Sequence, residues 1–433
     1  MSFQNFYTSL IGGMNMIRLL TSDDMKQAAA IIATAYPGMN ISHATQQEEF
    51  VERLTLEQAT DNDLSYYGLF QEGKGLVGLY RLHDFQGNVN GKMIRQFGLG
   101  MVAVHLFHKK ERIAFQLLQH FHELASNENV SLVSLYPFNT NFYKKMGYGY
   151  GPTRYQYKLR PSSFPREGDK KRVVMLSPSN EEEIVGLYNE YAILHHGMIK
   201  RTWSERNLIK KKASFYAGVY ERNKLIGAIA YILQPVKDSH FLHHEMIVYE
   251  WFWTKPSAFL DISTWLHSQQ DQVERVVVRT HDESIMYQLN DPRNDSNRMI
   301  PSVYHEVAQV GTGLMYRLIS IVEFVKQSNF SANSRPDKAV SISLCVEDSF
   351  SKEQHGGYSL TFKGNSWRAE RNSITSDTAD FTILIDDLSS WWMGCVSLEQ
   401  LSQYGKVEVN NWCVRNLDNW FKPFVKPTCL TSF

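Results

Sequence analysis

A basic turn between an apolar strand and an amphipathic helix is the part of the sequence best suited to chemistry. Residues 98–105 read as a β-rich run, and the turn after them contains Lys109, Lys110 and Arg112. The apolar face of the helix repeats at helical spacing and consists of Ile113, Leu117, Leu118 and Phe121. Free amides at a helix start, the helix dipole and neighbouring cations together suit a pyrophosphate. An ordinary turn with solvated lysines is the alternative that this segment alone leaves open.

The same segment resembles the acetyl-CoA motif of the GNAT (Gcn5-related) acetyltransferase superfamily. That motif runs Gln or Arg, two variable residues, Gly, one variable residue, and then Gly or Ala. Here Lys109 stands at the basic start and Ala114 at the final small position, but Arg112 stands where the family has glycine. Glycine lets a phosphate approach the backbone closely, so Arg112 could crowd the pyrophosphate or turn outward and add a contact. We expect the outward arrangement.

Two further segments extend the resemblance along the chain. Residues 131–159 resemble the GNAT strand and helix in which a tyrosine, here Tyr143, precedes a Met-Gly-Tyr turn. Residues 379–409 are similar to the sterol-carrier pattern of an acidic strand, an Asp-Leu helix and a Gly-Lys-Val strand. From Met16 to Phe433 the chain therefore resembles the Eis (enhanced intracellular survival) acetyltransferases. The resemblance implies an α/β (α+β) architecture, with tandem GNAT folds around mixed central sheets followed by a sterol-carrier-protein-like α+β domain.

The resemblance also implies an acetyl-CoA-dependent N-acetyltransferase and a place for each cofactor-binding residue. Backbone groups of Val102, Ala103 and Val104 would hold the acetyl and pantetheine portions of acetyl-CoA. Phe138 and Asn139 would lie beside the thiol arm. The turn that would receive the pyrophosphate starts at Lys109 and continues through Lys110, Glu111, Arg112, Ile113, Ala114 and Phe115.

The acid and the base are assigned by the same resemblance. Tyr143 would be the general acid, and the terminal carboxylate of Phe433 would be the general base. A tyrosine pKa near ~10 suits proton delivery to a thiolate whose conjugate acid has a pKa near ~8.5. An α-carboxyl pKa of about 3.5 is low for a base, so burial must raise it, or the carboxylate only attracts and orients the ammonium. The amide of Val104, at the splayed end of its strand, is a candidate donor to the oxyanion.

A hairpin pattern occurs twice in the sequence, which indicates an internal duplication. Residues 66–80 (YYGLFQEGKGLVGLY) are echoed by residues 216–230 (YAGVYERNKLIGAIA), with Gly78 matching Gly227. Chance similarity of two hairpins is the alternative. The segment after the corresponding strand of the second copy has neither a basic cluster nor a glycine, so we expect that this copy does not bind CoA.

The chain is too long for one hydrophobic core, since it has 433 residues. Prolines, a glycine and a charge run between residues 160 and 172 mark one boundary, and the pattern changes again between residues 301 and 317. We predict a catalytic GNAT domain at 16–160, a degenerate GNAT-like domain at 172–305 and a sterol-carrier-like domain at 317–433.

The third domain is expected to be a filled α+β unit. An amphipathic helix is predicted from Leu318, and strands are predicted at 340–345, 358–362 and 381–385. A stripe of tryptophans invites a lipid-binding interpretation, but core packing better suits a domain whose main task is to deliver the C-terminus to the first domain. These tryptophans are Trp391, Trp392, Trp412 and Trp420. A non-catalytic lipid- or ligand-binding protein with a degenerate GNAT site is the alternative function.

The amino-acid composition limits the classes of molecule that the chain is expected to bind. Lys plus Arg and Asp plus Glu each number 45, so no global field attracts nucleic acid or an anionic membrane. Without a bilayer-length apolar run or a secretory signal, a cytoplasmic location is expected. The cysteines form no CxxC pair and the histidine-rich residues 240–245 read as a strand with its turn, so no metal is expected. The expected partner is a small-molecule amine, such as an aminoglycoside or another polyamine, or a protein lysine; the resemblance also implies a homohexamer.

Overall fold

The structure is a computed structural model of the chain. It describes residues 9–11, 15–41, 43–210, 214–237, 242–328, 339–363, 366–409, 417–418 and 426–433. Within these ranges the strands form an eight-stranded, a seven-stranded and a five-stranded sheet and one short two-stranded hairpin. No helix in the same ranges is both long and apolar enough to cross a bilayer.

The first part of the chain supplies most of the eight-stranded sheet and its covering helices. Its elements are β1 (Ser9–Ile11), β2 (Asn15–Leu19), α1 (Met25–Ala35), α2 (Ala44–Thr60), β3 (Leu64–Gln71), β4 (Gly75–Val89), β5 (Lys92–Val104), α3 (Ile113–Asn127), β6 (Leu132–Leu135), α4 (Thr140–Lys144) and β7 (Gly149–Tyr150). The predicted hairpin is confirmed as β3 and β4. The strand predicted from Gly98 begins earlier, at Lys92, because the β4–β5 ladder runs on to the pair Val89 and Lys92.

The second part forms the seven-stranded sheet. Its elements are β8 (Arg154–Leu159), β9 (Val173–Leu176), α5 (Glu181–Leu194), α6 (Trp203–Lys210), β10 (Phe215–Glu221), β11 (Lys224–Pro235), β12 (His244–Trp253), α7 (Pro256–His267), β13 (Val273–Thr280), β14 (Met299–Ile300), β15 (Tyr304–His305) and β16 (Ala308–Gly311). The prediction that the histidine-rich segment leads into a strand is confirmed by β12, although His240 lies outside the described residues. Strands β14 and β15 make the separate hairpin.

The third part forms the five-stranded sheet and begins with a strand of the first sheet, β17 (Met315–Leu318). Its further elements are α8 (Ile321–Gln327), β18 (Val340–Glu347), β19 (Gly356–Lys363), β20 (Ser366–Asn372), β21 (Phe381–Leu384), α9 (Ile385–Trp392), α10 (Leu398–Gln403) and β22 (Val407–Val409). The three predicted strands are confirmed as β18, β19 and β21. Trp391 and Trp392 are buried and pack against Phe381 and Phe324, as predicted, whereas the predictions for Trp412 and Trp420 fall outside the described residues.

The first sheet contains a strand from a later part of the chain. The order of the eight-stranded sheet is β1-β2-β3-β4-β5-β6-β17-β7, and that of the seven-stranded sheet is β16-β8-β13-β12-β11-β10-β9. Strand β17 thus enters the first sheet, where Met315 pairs with Leu135 on one side and Tyr150 on the other. The prediction that Leu318 opens a helix is wrong, because Leu318 ends this buried strand and α8 starts after the cap Ser320. The predicted limits 16–160, 172–305 and 317–433 stay a prediction.

Backbone geometry supports the internal duplication. Both hairpins change register at the same place, one step after the pair Leu69 and Gly78 and one step after the pair Val219 and Gly227. Each of these glycines also allows a helix to pack closely on the sheet: a Cβ on Gly78 would lie 2.6 Å from Cγ2 of Ile113, and a Cβ on Gly227 would lie 2.5 Å from Cβ of Ala258. Helices α3 and α7 therefore occupy equivalent places.

Candidate active site

The first sheet opens between β5 and β6. These strands are parallel and pair only from Phe97 with Val133 to Leu99 with Leu135. Two residues beyond the last pair, Met101 has a left-handed backbone with φ of 46°, which bends β5 at this point. The rest of β5 stays paired with β4 and turns away from β6. A wedge-shaped opening results, with backbone groups of β5 along one wall.

Unpaired backbone groups of β5 face this opening. The amide of His105 donates to the carbonyl of Val77 on β4. Because successive residues of a strand direct their amides to opposite sides, the amides of Val102 and Val104 point away from β4, and that of Ala103 points toward it. The hydroxyl of Tyr36 donates to the carbonyl of Val102 at 2.9 Å, which places this tyrosine in the opening.

The turn after β5 has the backbone shape of an anion site. A short 3-10 turn, residues 106–108, leads to Lys110 with φ of 68° and Arg112 with φ of 60°, and α3 begins directly afterwards. Left-handed residues at a helix start turn successive amides toward one concave face. The left-handed conformation at Arg112 explains why the GNAT motif has glycine there, since glycine adopts it without steric strain.

The charges of this turn are mostly uncommitted. Lys109, Lys110 and Arg112 are exposed, and none forms an ion pair with another described residue. Glu111 is held by His108 at 3.1 Å and by Lys74 at 3.6 Å. The hydrogen bond from His108 and the charge of Lys74 lower the pKa of Glu111. The turn therefore offers net positive charge to an anion.

The side chain of Arg112 lies on an aromatic ring. Its Cζ is 4.7 Å from the centroid of the Phe115 ring, which in turn packs on Phe350 of the third part of the chain at 4.8 Å. Ile113 is buried against Gly78, and Ala114 is half-buried in the first turn of α3. The guanidinium is thus stacked on an aromatic ring and exposed to solvent.

Tyr143 is buried beside the opening. Its side chain is 3% exposed and packs against the rings of Phe138, Phe142 and Tyr148. Burial, and less strongly Tyr36, raise the pKa of Tyr143. Among the described residues its hydroxyl has no hydrogen-bond partner. The phenol therefore stays protonated at neutral pH.

Helix α4 is fixed by the residue expected beside the thiol arm. The side chain of Asn139 accepts a hydrogen bond from the amide of Phe142 at 3.0 Å and caps the helix that carries Tyr143. Phe138, directly before it, is 69% exposed. An exposed aromatic ring at the edge of the opening is available to contact a bound molecule.

The C-terminal residue reaches the first sheet. The ring of Phe433 packs edge-on against Phe85 at 4.9 Å, Tyr136 at 5.2 Å and His83 at 5.5 Å. It fits where β5 has glycine, since a Cβ on Gly98 would lie 2.9 Å from Cε2 of Phe433. The chain end therefore packs on β5, and Tyr143 belongs to the same buried cluster as Leu99 of that strand.

Side chains of the first two parts of the chain hold the last residues in place. The hydroxyl of Tyr136 donates to the carbonyl of Thr431 at 3.0 Å, and the hydroxyls of Tyr188 and Thr431 are 3.1 Å apart. Nε2 of His281 lies 3.1 Å from the carbonyl of Cys429. The position of Phe433 is thus defined by contacts on both sides of the C-terminal segment.

Sequence patterns did not identify four residues near the opening: Tyr36, Arg81, His83 and Tyr136. Arg81 Nε and His83 Nε2 are buried and have no hydrogen-bond partner among the described residues, and both lie next to Gly100 of β5. Burial, with a smaller effect of Arg81, holds the pKa of His83 well below its usual range, so this imidazole is neutral. The position of Arg81, directly after the apolar residues 76–80 of β4, was a signal available in the sequence. In the part of the chain described here, no cluster of three or more metal-ligating side chains occurs.

Known protein families match the three parts of the chain. A GNAT acetyltransferase domain family matches residues 16–151, a second GNAT acetyltransferase domain family matches residues 197–318, and a sterol carrier protein domain family matches residues 321–430. The chain is therefore an acetyltransferase with two GNAT domains and a sterol carrier protein domain. A search of curated proteins found no match.

Solved structures share this arrangement over almost the whole chain. A GCN5-related N-acetyltransferase from Anabaena variabilis has a TM-score of 0.80 at 14% identity, with 97% of this chain and 100% of that chain covered. One from Kribbella flavida has a TM-score of 0.74 at 16% identity, with 97% and 99% covered. Eis1 from Mycobacterium abscessus has a TM-score of 0.75 at 17% identity, with 97% and 100% covered. The prediction of an Eis-like chain with tandem GNAT domains is confirmed.

Proposed function

We propose that the opening between β5 and β6 transfers an acetyl group from acetyl-CoA to a primary amine. The observation that carries the proposal is the combination, in one place, of free strand amides, a cationic left-handed turn at the start of α3 and a buried phenol. Acetyl-CoA supplies the acetyl group. The residues present fit it, because the amides match the thioester and amide oxygens and the turn matches the pyrophosphate.

Binding of acetyl-CoA is assigned to the backbone of β5 and to the turn between β5 and α3. Val102 and Val104 donate their amides toward the acetyl and pantetheine oxygens, and Val104 stabilises negative charge that develops on the acetyl oxygen. Lys109 and Lys110 attract the pyrophosphate to the start of α3, while Arg112 adds charge from its position on Phe115. Phe138 covers the thiol arm from the edge of the opening.

Tyr143 is assigned to proton delivery. Its raised pKa makes the phenol a weak acid in the resting protein, and desolvation in the same opening also raises the pKa of a thiol. The phenol therefore donates a hydrogen bond to the leaving sulfur and transfers its proton only as charge develops there.

The terminal carboxylate of Phe433 is assigned to the amine. The aromatic contacts of Phe433 fix the chain end, and the carboxylate then attracts an ammonium group and accepts its proton, directly or through water. A carboxylate suits cationic acceptors, which supports a polyamine such as an aminoglycoside, or a lysine side chain, as the substrate class. His83 is neutral and adds no positive charge beside the carboxylate.

The direct test is release of free CoA thiol from acetyl-CoA in the presence of aminoglycosides, spermidine or a lysine peptide. Thiol release that depends on a primary amine, and that fails with a tertiary amine, supports the proposal. Tyr143→Phe should lower turnover and leave acetyl-CoA binding intact, whereas the exposed Tyr150→Phe is the matched control that should change neither. Absence of acetyl-CoA binding by the full chain would refute the cofactor assignment.

Self-association is a separate proposal. We propose a homohexamer, supported by exposed apolar side chains on the hairpin β14–β15 and on the neighbouring strand β16, among them Tyr304 and Val310. The edge strand β9 also exposes Met175. Light scattering after size exclusion measures the mass; a monomer at micromolar concentration would contradict this proposal and leave the catalytic one unchanged.

A further inference from the structure

The second GNAT domain contains its own opening. Strands β12 and β13 are parallel and pair only as far as Val248 with Val278, after which they separate. A cavity of about 580 Å³ lies where they separate and is bordered by Val248, Trp251 and Trp253 from β12 and by residues 278–280 from β13. In the first sheet the corresponding place is the proposed acetyl-CoA site.

Strand register shows what replaced the first domain's residues. Gly78 pairs with Val104 in the first sheet, and its counterpart Gly227 pairs with Trp253 in the second. Trp253 therefore stands at the position of Val104, and Trp251 at that of Val102. Two small side chains on the cofactor wall have become two indole rings.

The phosphate-binding turn is missing from the second opening. In the first domain, residues 105–112 separate β5 from α3, whereas only Thr254 and Lys255 separate β12 from α7. Pro256 is the first residue of α7 and has no amide hydrogen to offer. The cavity lies at the same place in the fold as the proposed acetyl-CoA site, but it lacks the turn that would bind a pyrophosphate.

Aromatic rings form the wall of the cavity. Trp251 and Trp253 have centroids 5.6 Å apart and planes inclined at 60°, and Tyr191 is inclined at 51° to Trp253 at 6.3 Å. Phe259 stacks on one face of Trp251 at 4.8 Å and does not border the cavity, so that face is turned away from it. Trp253 is thus inclined to both of the other rings, and the three rings form a partial aromatic cage of the kind that attracts cations.

A carboxylate stands beside the cage. Asp282 caps the short helical turn that follows β13, and Asn139 caps α4, which follows β6 in the first domain. The second domain therefore has a carboxylate where the first has the neutral side-chain amide of Asn139. It lies close enough to Tyr191 that, together with the stronger effect of burial, it raises the pKa of that phenol. Asp282 borders the cavity, is exposed at its mouth and has no ion-pair partner among the described residues.

The other charged groups around the cavity are neutral or committed. Lys426 and Glu283 pair with each other at 3.0 Å. Burial lowers the pKa of His196 to about 4, and it also lowers the pKa values of His195 and His281, so all three imidazoles are uncharged. Arg279, which also borders the cavity, donates from Nε to Gln156 at 2.9 Å and keeps its positive charge.

We propose that this cavity of the second GNAT domain binds an organic ammonium ion. The ammonium lies within the rings of Tyr191, Trp251 and Trp253 with Asp282 as its counter-ion. The duplicated domain has therefore exchanged an anion site for a cation site.

Calorimetric titration of the full chain with acetylcholine tests the proposal, because this probe has a quaternary ammonium that cannot be acetylated. Its uncharged carbon isostere, 3,3-dimethylbutyl acetate, is the matched control and should bind about tenfold more weakly or not at all. Equal binding of the two compounds, or no binding of acetylcholine at millimolar concentration, would overturn the proposal.

Two carboxylate variants locate the site. Asp282→Asn should weaken acetylcholine binding about five- to thirtyfold, whereas the adjacent Glu283→Gln should change it less than about twofold, since Glu283 is already paired with Lys426. Acetyl-CoA should bind both variants as it binds the parent, with one molecule per chain, which shows that they are folded. Equal effects of the two variants, or two acetyl-CoA molecules per chain, would refute the assignment.

Discussion

Replacing Arg112 by glycine separates the two roles that this residue can have in the turn. The backbone at Arg112 has φ of 60° and ψ of 18°, a left-handed conformation that costs a residue with a Cβ about 1–2 kcal/mol. Glycine removes that strain but adds about 0.5–1 kcal/mol of chain entropy to be lost on folding. Loss of the contact with Phe115 costs about 0.5 kcal/mol more. The free energy of unfolding should therefore change by less than about 1 kcal/mol.

Cofactor affinity should respond to the lost charge instead. Because Arg112 is exposed, its attraction for a pyrophosphate is worth about 0.2–1 kcal/mol, or roughly a 1.5- to 5-fold change in Kd. Screening shortens the range of that attraction to about 3 Å at 1 M salt, so the difference should nearly vanish there. Titration with acetyl-CoA at 50 mM and at 1 M salt measures both effects.

Arg112→Ala is the matched control. It removes the same charge and ring contact but keeps the left-handed strain, so it should bind acetyl-CoA like Arg112→Gly and be less stable by about 0.5–1 kcal/mol. Tighter binding by the glycine variant than by the parent, at both salt concentrations, would refute the reasoning, because it would mean that the arginine side chain obstructs the phosphate.

Three further predictions concern the acid, the chain end and the core. Tyr143→Phe should reduce kcat about 100-fold or more with unchanged acetyl-CoA Kd, and a kcat within threefold of the parent would require another proton donor. Deleting Phe433 should reduce turnover and spare acetyl-CoA binding, whereas Phe433→Leu, which keeps the carboxylate, should retain more activity; equal turnover of parent and deletion would exclude the carboxylate. Asp348→Asn leaves the fully buried Arg317 without its partner at 2.6 Å and should lower the free energy of unfolding by about 3–5 kcal/mol, which denaturant melting measures.

Local patterns predicted the elements that position the site. The spacing of apolar residues correctly predicted the buried face of α3, since Leu117, Leu118 and Phe121 are all buried. The paired glycines Gly78 and Gly227 revealed the duplication because each is needed for a close helix contact, which is a local constraint. Patterns of this kind depend on neighbours in sequence and can be recognised without the fold.

Contacts between distant segments could not be predicted in the same way. Residues 315–318 (Met-Tyr-Arg-Leu) are too few to show the repeat of a strand or of a helix. Pairing with Leu135 and Tyr150 makes them a strand. Tyr36 belongs to the opening only because α1 ends opposite Val102. The substitution of Trp253 for Val104 becomes visible only when the registers of two separate sheets are compared.

The exchange of strands has a consequence for synthesis. The ribosome releases β1 to β6 long before β17, and until then the exposed edges of β6 and β7 have no strand between them. The first sheet therefore has a gap between β6 and β7 until the residues of the second sheet and of β17 have been synthesised. A gene fragment ending at residue 151 would encode a protein with that gap permanently open, so the first sheet is complete only in a chain that extends through β17.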